Sequence, residues 1–220
     1  MTIDRRTLLV AAGTTAALTA FPSPATAAPR RTPDAPGPRR WDADRSDNGW
    51  PIGPEGITEY TVEGSPATVR LHPEASAVLL HVARRWHYEV LPLRGTADIL
   101  GYTAERAVPA AYGSNRLSGT AIVLPGAGDG LWPRQTAVVR DILADCEGVV
   151  RWGADLAPAA PGHFQIDVKP GTRTLARLTT ALREGPARAD APRTGAPEDP
   201  AAPERRKQAG QLARAQRPAR

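Results

Sequence analysis

The chain has 220 residues, with 28 Lys and Arg against 23 Asp and Glu, a net charge of +5 and a pI near 10.0. Its basic residues are spread along the chain and into its ends, and no nucleic-acid motif accompanies them, so no nucleic acid is expected as a partner. The single cysteine, Cys146, excludes an internal disulfide and a cysteine-rich zinc site.

At the N-terminus, Asp4-Arg5-Arg6-Thr7-Leu8-Leu9 resembles a twin-arginine export motif, and a mildly apolar stretch from Leu8 to Ala20 follows. Ala25-Thr26-Ala27 has the small-x-small form of a cleavage site, which predicts a signal peptide over 1–27 and a mature start at Ala28. An uncleaved anchor is the other reading of this stretch. No other apolar run approaches spanning length, so the mature form is expected to have no membrane span. Residues 28–47, rich in Pro, Arg and Asp, are expected to be a disordered linker. Residues 184–220 are Ala, Pro, Arg and Glu with almost no large apolar residues, and are expected to be a disordered basic tail. This tail holds eight bases and five acids, a net of +3, and within it Glu204 to Ala215 has the composition of a short basic helix.

Residues 48–183 make one domain, long enough for a single hydrophobic core. Ile57 to Val62 and Ala67 to Leu71 read as strands split by the turn Glu63-Gly64-Ser65-Pro66. Pro73 opens a helix running to about His87, on which Val78, Leu79, Val82 and Trp86 recur at helical spacing. Tyr88 to Leu93 reads as a strand, as do Ala121 to Leu124, Val149 to Trp152 and Phe164 to Val168. Gln135 to Asp145 reads as a helix with Val138, Val139, Ile142 and Leu143 inward. Thr172 is placed to cap a last helix carrying Leu175, Leu178 and Leu182. Strands and helices mix without regular alternation, which is an α+β pattern.

Several short segments recur in a recognisable order: Asn48-Gly-Trp-Pro-Ile52, Val90-Leu-Pro-Leu93, Gly101-Tyr102, Ser114-Asn115, Ser118-Gly-Thr-Ala-Ile122, Val150-Arg-Trp-Gly153 with Asp155, and His163-Phe164. Together they resemble the zinc D-alanyl-D-alanine carboxypeptidases and L-alanyl-D-glutamate endopeptidases, in their secreted actinobacterial branch. The resemblance covers roughly residues 48–168. It implies a hedgehog/DD-peptidase-like fold, an antiparallel sheet with helices packed on one side. It also implies a cell-wall location and peptidoglycan or its stem peptides as partner; a monomer is expected.

That family carries its zinc site in S-x-H-x-x-G-x-A-x-D and in an acid three residues before a His followed by an aromatic. Matched to this chain, the first His position is Arg116, the Asp position is Val123, the acid position is Ala160, and the second His is His163. A guanidinium has no lone pair to offer a metal and repels a dication, and an alkyl side chain cannot ligate. The resemblance therefore implies a pseudoenzyme with no cofactor, keeping only His163 of the metal ligands; the alternative is an active zinc peptidase with a rebuilt ligand set. Ser114, Arg116 and Asp155 are expected to line the cleft. Arg106 lies near the position of a substrate-carboxylate arginine, although an extra residue separates it from Tyr102. Ser114 and Ser118 lie in no nucleophile motif and are read as shaping the loop and the turn into the following strand. Trp86-His87-Tyr88-Glu89 has the look of a metal motif but sits before the Ser114 segment, in the wrong place.

Overall fold

A computed structural model describes residues 37–127, 130–184 and 202–216. The residues of the expected signal peptide lie outside this set. The architecture is α+β, with helices and three small antiparallel sheets.

Two strands, β2 (Thr58–Thr61) and β3 (Thr68–Leu71), form a hairpin with Thr58 opposite Leu71 and Thr61 opposite Thr68. Helix α1 (Pro73–Glu89) starts where Pro73 needs no amide partner, and His72 Nδ1 accepts from Glu74 N at 3.2 Å. The four apolar residues spaced along α1 are all buried. The strand expected over Tyr88 to Leu93 does not form. The helix runs on to Glu89, Val90 N donates to Trp86 O, and Leu93 N donates to His87 Nδ1 at 2.9 Å, so the chain folds back on the helix end.

Three further strands make the central sheet: β5 (Ala121–Val123), β6 (Val150–Trp152) and β7 (His163–Ile166), in the order β5-β7-β6 with β4 (Ala107–Val108) elsewhere. All four residues of β7 are buried. Alternation along a strand puts Phe164 and Ile166 on one face and His163 and Gln165 on the other. Phe164 meets Trp86 of α1 edge-on at 5.7 Å and stacks on Trp152 at 6.2 Å. Around these rings the core adds Val78, Leu79 and Val82 of α1, with Val139, Ile142 and Leu143 of α2 (Pro133–Asp145). Leu175 and Leu178 of α3 (Arg173–Glu184) complete it. Thr172 precedes α3 and its carbonyl accepts from Ala176 N, but its hydroxyl finds no partner among the described residues, so the expected side-chain cap is not made.

Among the described residues, order replaces the expected disorder over 37–47 and 202–216. In the stretch assigned to the linker, β1 (Arg39–Arg40) pairs with β4, and Trp41 N donates to Arg106 O. Charge and proline density do not prevent order here, because the gain is backbone pairing together with the fully buried Trp50 just beyond. In the tail, α4 (Pro203–Gln216) lies along α2. Arg205 binds Asp141 at 2.5 Å and Asp145 at 2.9 Å, Ala209 is buried, and Gln216 Nε2 donates to Val150 O at 2.8 Å. Among the described residues, no helix is long and apolar enough to cross a membrane.

Candidate functional site

His163 heads β7 directly opposite Val123 of β5. A 3-10 turn, Ala111–Arg116, enters from one side and supplies Tyr112 and Arg116. On the other side the loop before β7 supplies Ala160, whose amide donates to Gly153 O at 2.9 Å and whose carbonyl accepts from His163 N at 2.9 Å. Only glycine fits at Gly153: a Cβ there would lie 2.2 Å from Ala160 O. That close approach draws Ala160 toward the sheet.

The result is a cavity of about 430 Å³, in the range of small-molecule sites. Arg116, Val123, Ala160 and His163 all line it, with Val108, Tyr112 and Glu105 among the other lining residues. The four positions matched to the metal motif, scattered over 48 residues (116 to 163), thus meet at one place.

A buried polar chain holds His163. Its Nε2 lies 2.9 Å from Gln165 Oε1, an acceptor, so Nε2 carries the proton and Nδ1 the lone pair. Gln165 Oε1 also accepts from Asn115 Nδ2 at 2.9 Å, and Asn115 Oδ1 accepts from Asn48 N at 3.0 Å. Asn48 Nδ2 donates in turn to Thr120 Oγ1 and Ile166 O. Burial, most of all, and the nearby Arg116 push the imidazole pKa down against the pull of the Gln165 hydrogen bond, to about 4. The ring is therefore neutral at physiological pH. The Tyr112 ring lies 4.9 Å away, and its hydroxyl donates to Pro158 O; burial raises its pKa.

Arg116 is partly buried, and burial lowers its pKa, yet a guanidinium starts so high that it stays charged. Its Nε donates to Gly101 O at 2.8 Å.

The other residues expected at the cleft are spent within the protein. Ser114 is fully buried: its hydroxyl donates to Ala111 O at 2.7 Å and accepts from Asp47 N at 2.8 Å. Asp155 does not line the cavity. Both its oxygens accept from Arg140, whose guanidinium lies over the Trp152 ring at 4.5 Å. Arg106 does not line it either; its Nη1 donates to Trp41 O and Ala43 O, pinning the N-terminal segment. In the misplaced motif, Trp86 is core and His87 accepts from the backbone. Gln165, Asn48 and Tyr112 were not anticipated as site residues. The alternation of His163-Phe-Gln-Ile166 was the available signal for Gln165, since it puts residue 165 on the face of residue 163.

The donor set does not fit a zinc ion. One imidazole remains, a cation stands beside it, and Val123 and Ala160 have no ligating atoms. Among the described residues, no group of three or more His, Cys, Asp or Glu is placed to hold a metal. Among the described residues, no hydroxyl lining the cavity is hydrogen-bonded to a base: Thr103 Oγ1 accepts from Glu105 N and Tyr112 donates to Pro158 O. Ser114 is committed elsewhere, His163 is a weak base, and Glu105 is exposed at the rim with Oε1 accepting from Ala107 N at 3.0 Å. What the cavity offers chemically is one fixed cation against a largely apolar wall. Scans against protein-family models, curated proteins and solved structures found no match to this chain.

Proposed function

We propose that this chain is a secreted, cell-wall-associated domain on the hedgehog/DD-peptidase frame, without the family's zinc-dependent hydrolysis, that binds peptidoglycan stem peptides. One observation carries this reading: the positions matched to the metal motif line a single cavity, and only His163 among them can ligate. A chance match of short segments gives no reason for those four residues to meet. The substitutions at the other three positions remove the ligands and the acid that peptide hydrolysis requires. Export is supported by the twin-arginine-like segment at Arg5-Arg6 and the small-x-small site at Ala25 to Ala27.

The test joins metal content to turnover. The exported chain, purified without chelators or a histidine tag, is expected to hold far less than one zinc per chain and to release no D-alanine from a stem pentapeptide. It is expected to sediment with purified cell-wall sacculi. Stoichiometric zinc lost on His163→Ala, with chelator-sensitive release of D-alanine, would overturn the reading in favour of a rebuilt active site. Failure to sediment with sacculi would overturn the peptidoglycan partner.

A further inference from the structure

Arg116 is a cation with no counter-ion among the described residues. Its Nε is committed to Gly101 O, which fixes the plane of the guanidinium. Among the described residues the group makes no ion pair and no other hydrogen bond, so its two terminal amino groups remain as donors. Both the charge and its cavity are partly withdrawn from water, and a charge in that position favours an ionic partner. The paired donors of a guanidinium match the two oxygens of a carboxylate.

The surroundings narrow the ligand. Val108, Pro109, Tyr112, Val123 and Ala160 give an apolar wall, and His163 adds no charge. A cavity of about 430 Å³ takes a body of small-molecule size. Glu105 puts a carboxylate at the rim, and with only one cation inside, a second negative charge on the ligand is disfavoured.

We propose that this cavity binds a single carboxylate on a small apolar body, gripped by the terminal amino groups of Arg116, with the body against Val108, Tyr112 and Val123. The inference rests on the non-hydrolytic reading of the same cavity. Two sources offer this chemistry: the C-terminus of a short peptide and a free short-chain acid.

The experiment is calorimetric titration of the full chain with N-acetyl-D-alanyl-D-alanine, its C-terminal amide, butyrate and inorganic phosphate. The dipeptide acid should bind at least about tenfold more tightly than its amide, and phosphate should not compete. Arg116→Gln should weaken the acid at least about tenfold and leave the amide unchanged. Butyrate binding as well as the dipeptide assigns the free acid as source, and a preference for the dipeptide assigns the peptide terminus. If Arg116→Gln does not fold, Val123→Asp is the second variant: a carboxylate inside the cavity should abolish binding of the acid. Equal affinity for acid and amide, unchanged affinity in a folded variant, or no binding of either carboxylate overturns the inference. Release of free D-alanine during the titration instead overturns the non-hydrolytic reading, and the acid-to-amide ratio still decides the role of Arg116.

Discussion

Mild acid should destabilise this fold through His163, by an amount that its surroundings set. The ring is 3% exposed, and burial, reinforced by Arg116 and opposed by the Gln165 hydrogen bond, holds its pKa at about 4 instead of 6.5. The folded pKa lies below the unfolded one, so between those values the unfolded chain binds more protons. Stability from this group is complete above about pH 6.5, declines as the pH falls through that window, and is not reduced further once the pH is below about 4. At 1.36 kcal/mol per unit the window integrates to roughly 3 kcal/mol, a large part of the 5–15 kcal/mol that holds a typical domain together. The assay is urea unfolding followed by tryptophan fluorescence from pH 8 to pH 4, in the wild type and in His163→Gln. Over that range the wild type should lose roughly 3 kcal/mol more than the variant. His72, whose pKa burial lowers against the opposing pull of Glu74, titrates in both proteins and cancels in the difference. Parallel pH profiles, or a folded-state NMR titration of His163 near 6.5, would refute the reasoning.

Two further substitutions test the frame. Gly119 has φ +66°, and an added Cβ would lie 2.6 Å from Ile57 Cδ1 and 2.7 Å from His72 N; Gly119→Ala should cost at least about 2 kcal/mol, read from the urea midpoint, and an unmoved midpoint would contradict the tight turn into β5. Asp141 is buried between Arg85 at 3.0 Å and Arg205 at 2.5 Å, so Asp141→Ala should cost about 3 kcal/mol and expose α4 to trypsin at Lys207 before the rest of the domain, whereas unchanged protection of α4 would mean that Asp145 and its other contacts suffice to hold it.

The helices that build the core were legible because each displays its buried face at a regular spacing: Val78, Leu79, Val82 and Trp86 on α1, and Leu175 and Leu178 on α3. The β2–β3 hairpin was legible through its Gly64 turn, where φ is +81°. Two features were not. Pairs as short as β1 and β4 leave no period to read, since two residues cannot alternate. Helix α4 was legible as a short basic helix over Glu204 to Ala215, but its docking was not: it presents little apolar surface, mainly Ala209 and Leu212, and it is held largely by Arg205 on two carboxylates of α2. A composition rule counts those charges toward disorder, although here they make the contact. At the site, spacing alone brought out residues 116, 123, 160 and 163, yet it does not reveal which polar side chains the protein uses on itself. Ser114, Arg106 and Asp155 each satisfy an internal partner, and only the folded geometry separates them from Arg116, which has none for its terminal amino groups.

On the proposed zinc-peptidase frame, this division accounts for strands that stay in place without the family's ligands. A structural metal supplies folding free energy, and losing its ligands would then unfold the domain. Here the strands that meet at the cavity are held independently of any metal. On one face of β7, Phe164 and Ile166 are locked into the core with Trp86 and Trp152. On the other, Gln165 joins His163 to Asn115, and Asn48 ties Asn115 and Thr120 to the end of β7 through Ile166 O. These hydrogen bonds tie β7 to the segments around Asn48, Asn115 and Thr120 without a side-chain contribution from residues 116, 123 or 160. Those three positions face the cavity and not this network, which leaves them open to an arginine, a valine and an alanine. His163 is different, because its Nε2 proton is part of the network. That network gives His163 a structural role that needs no metal.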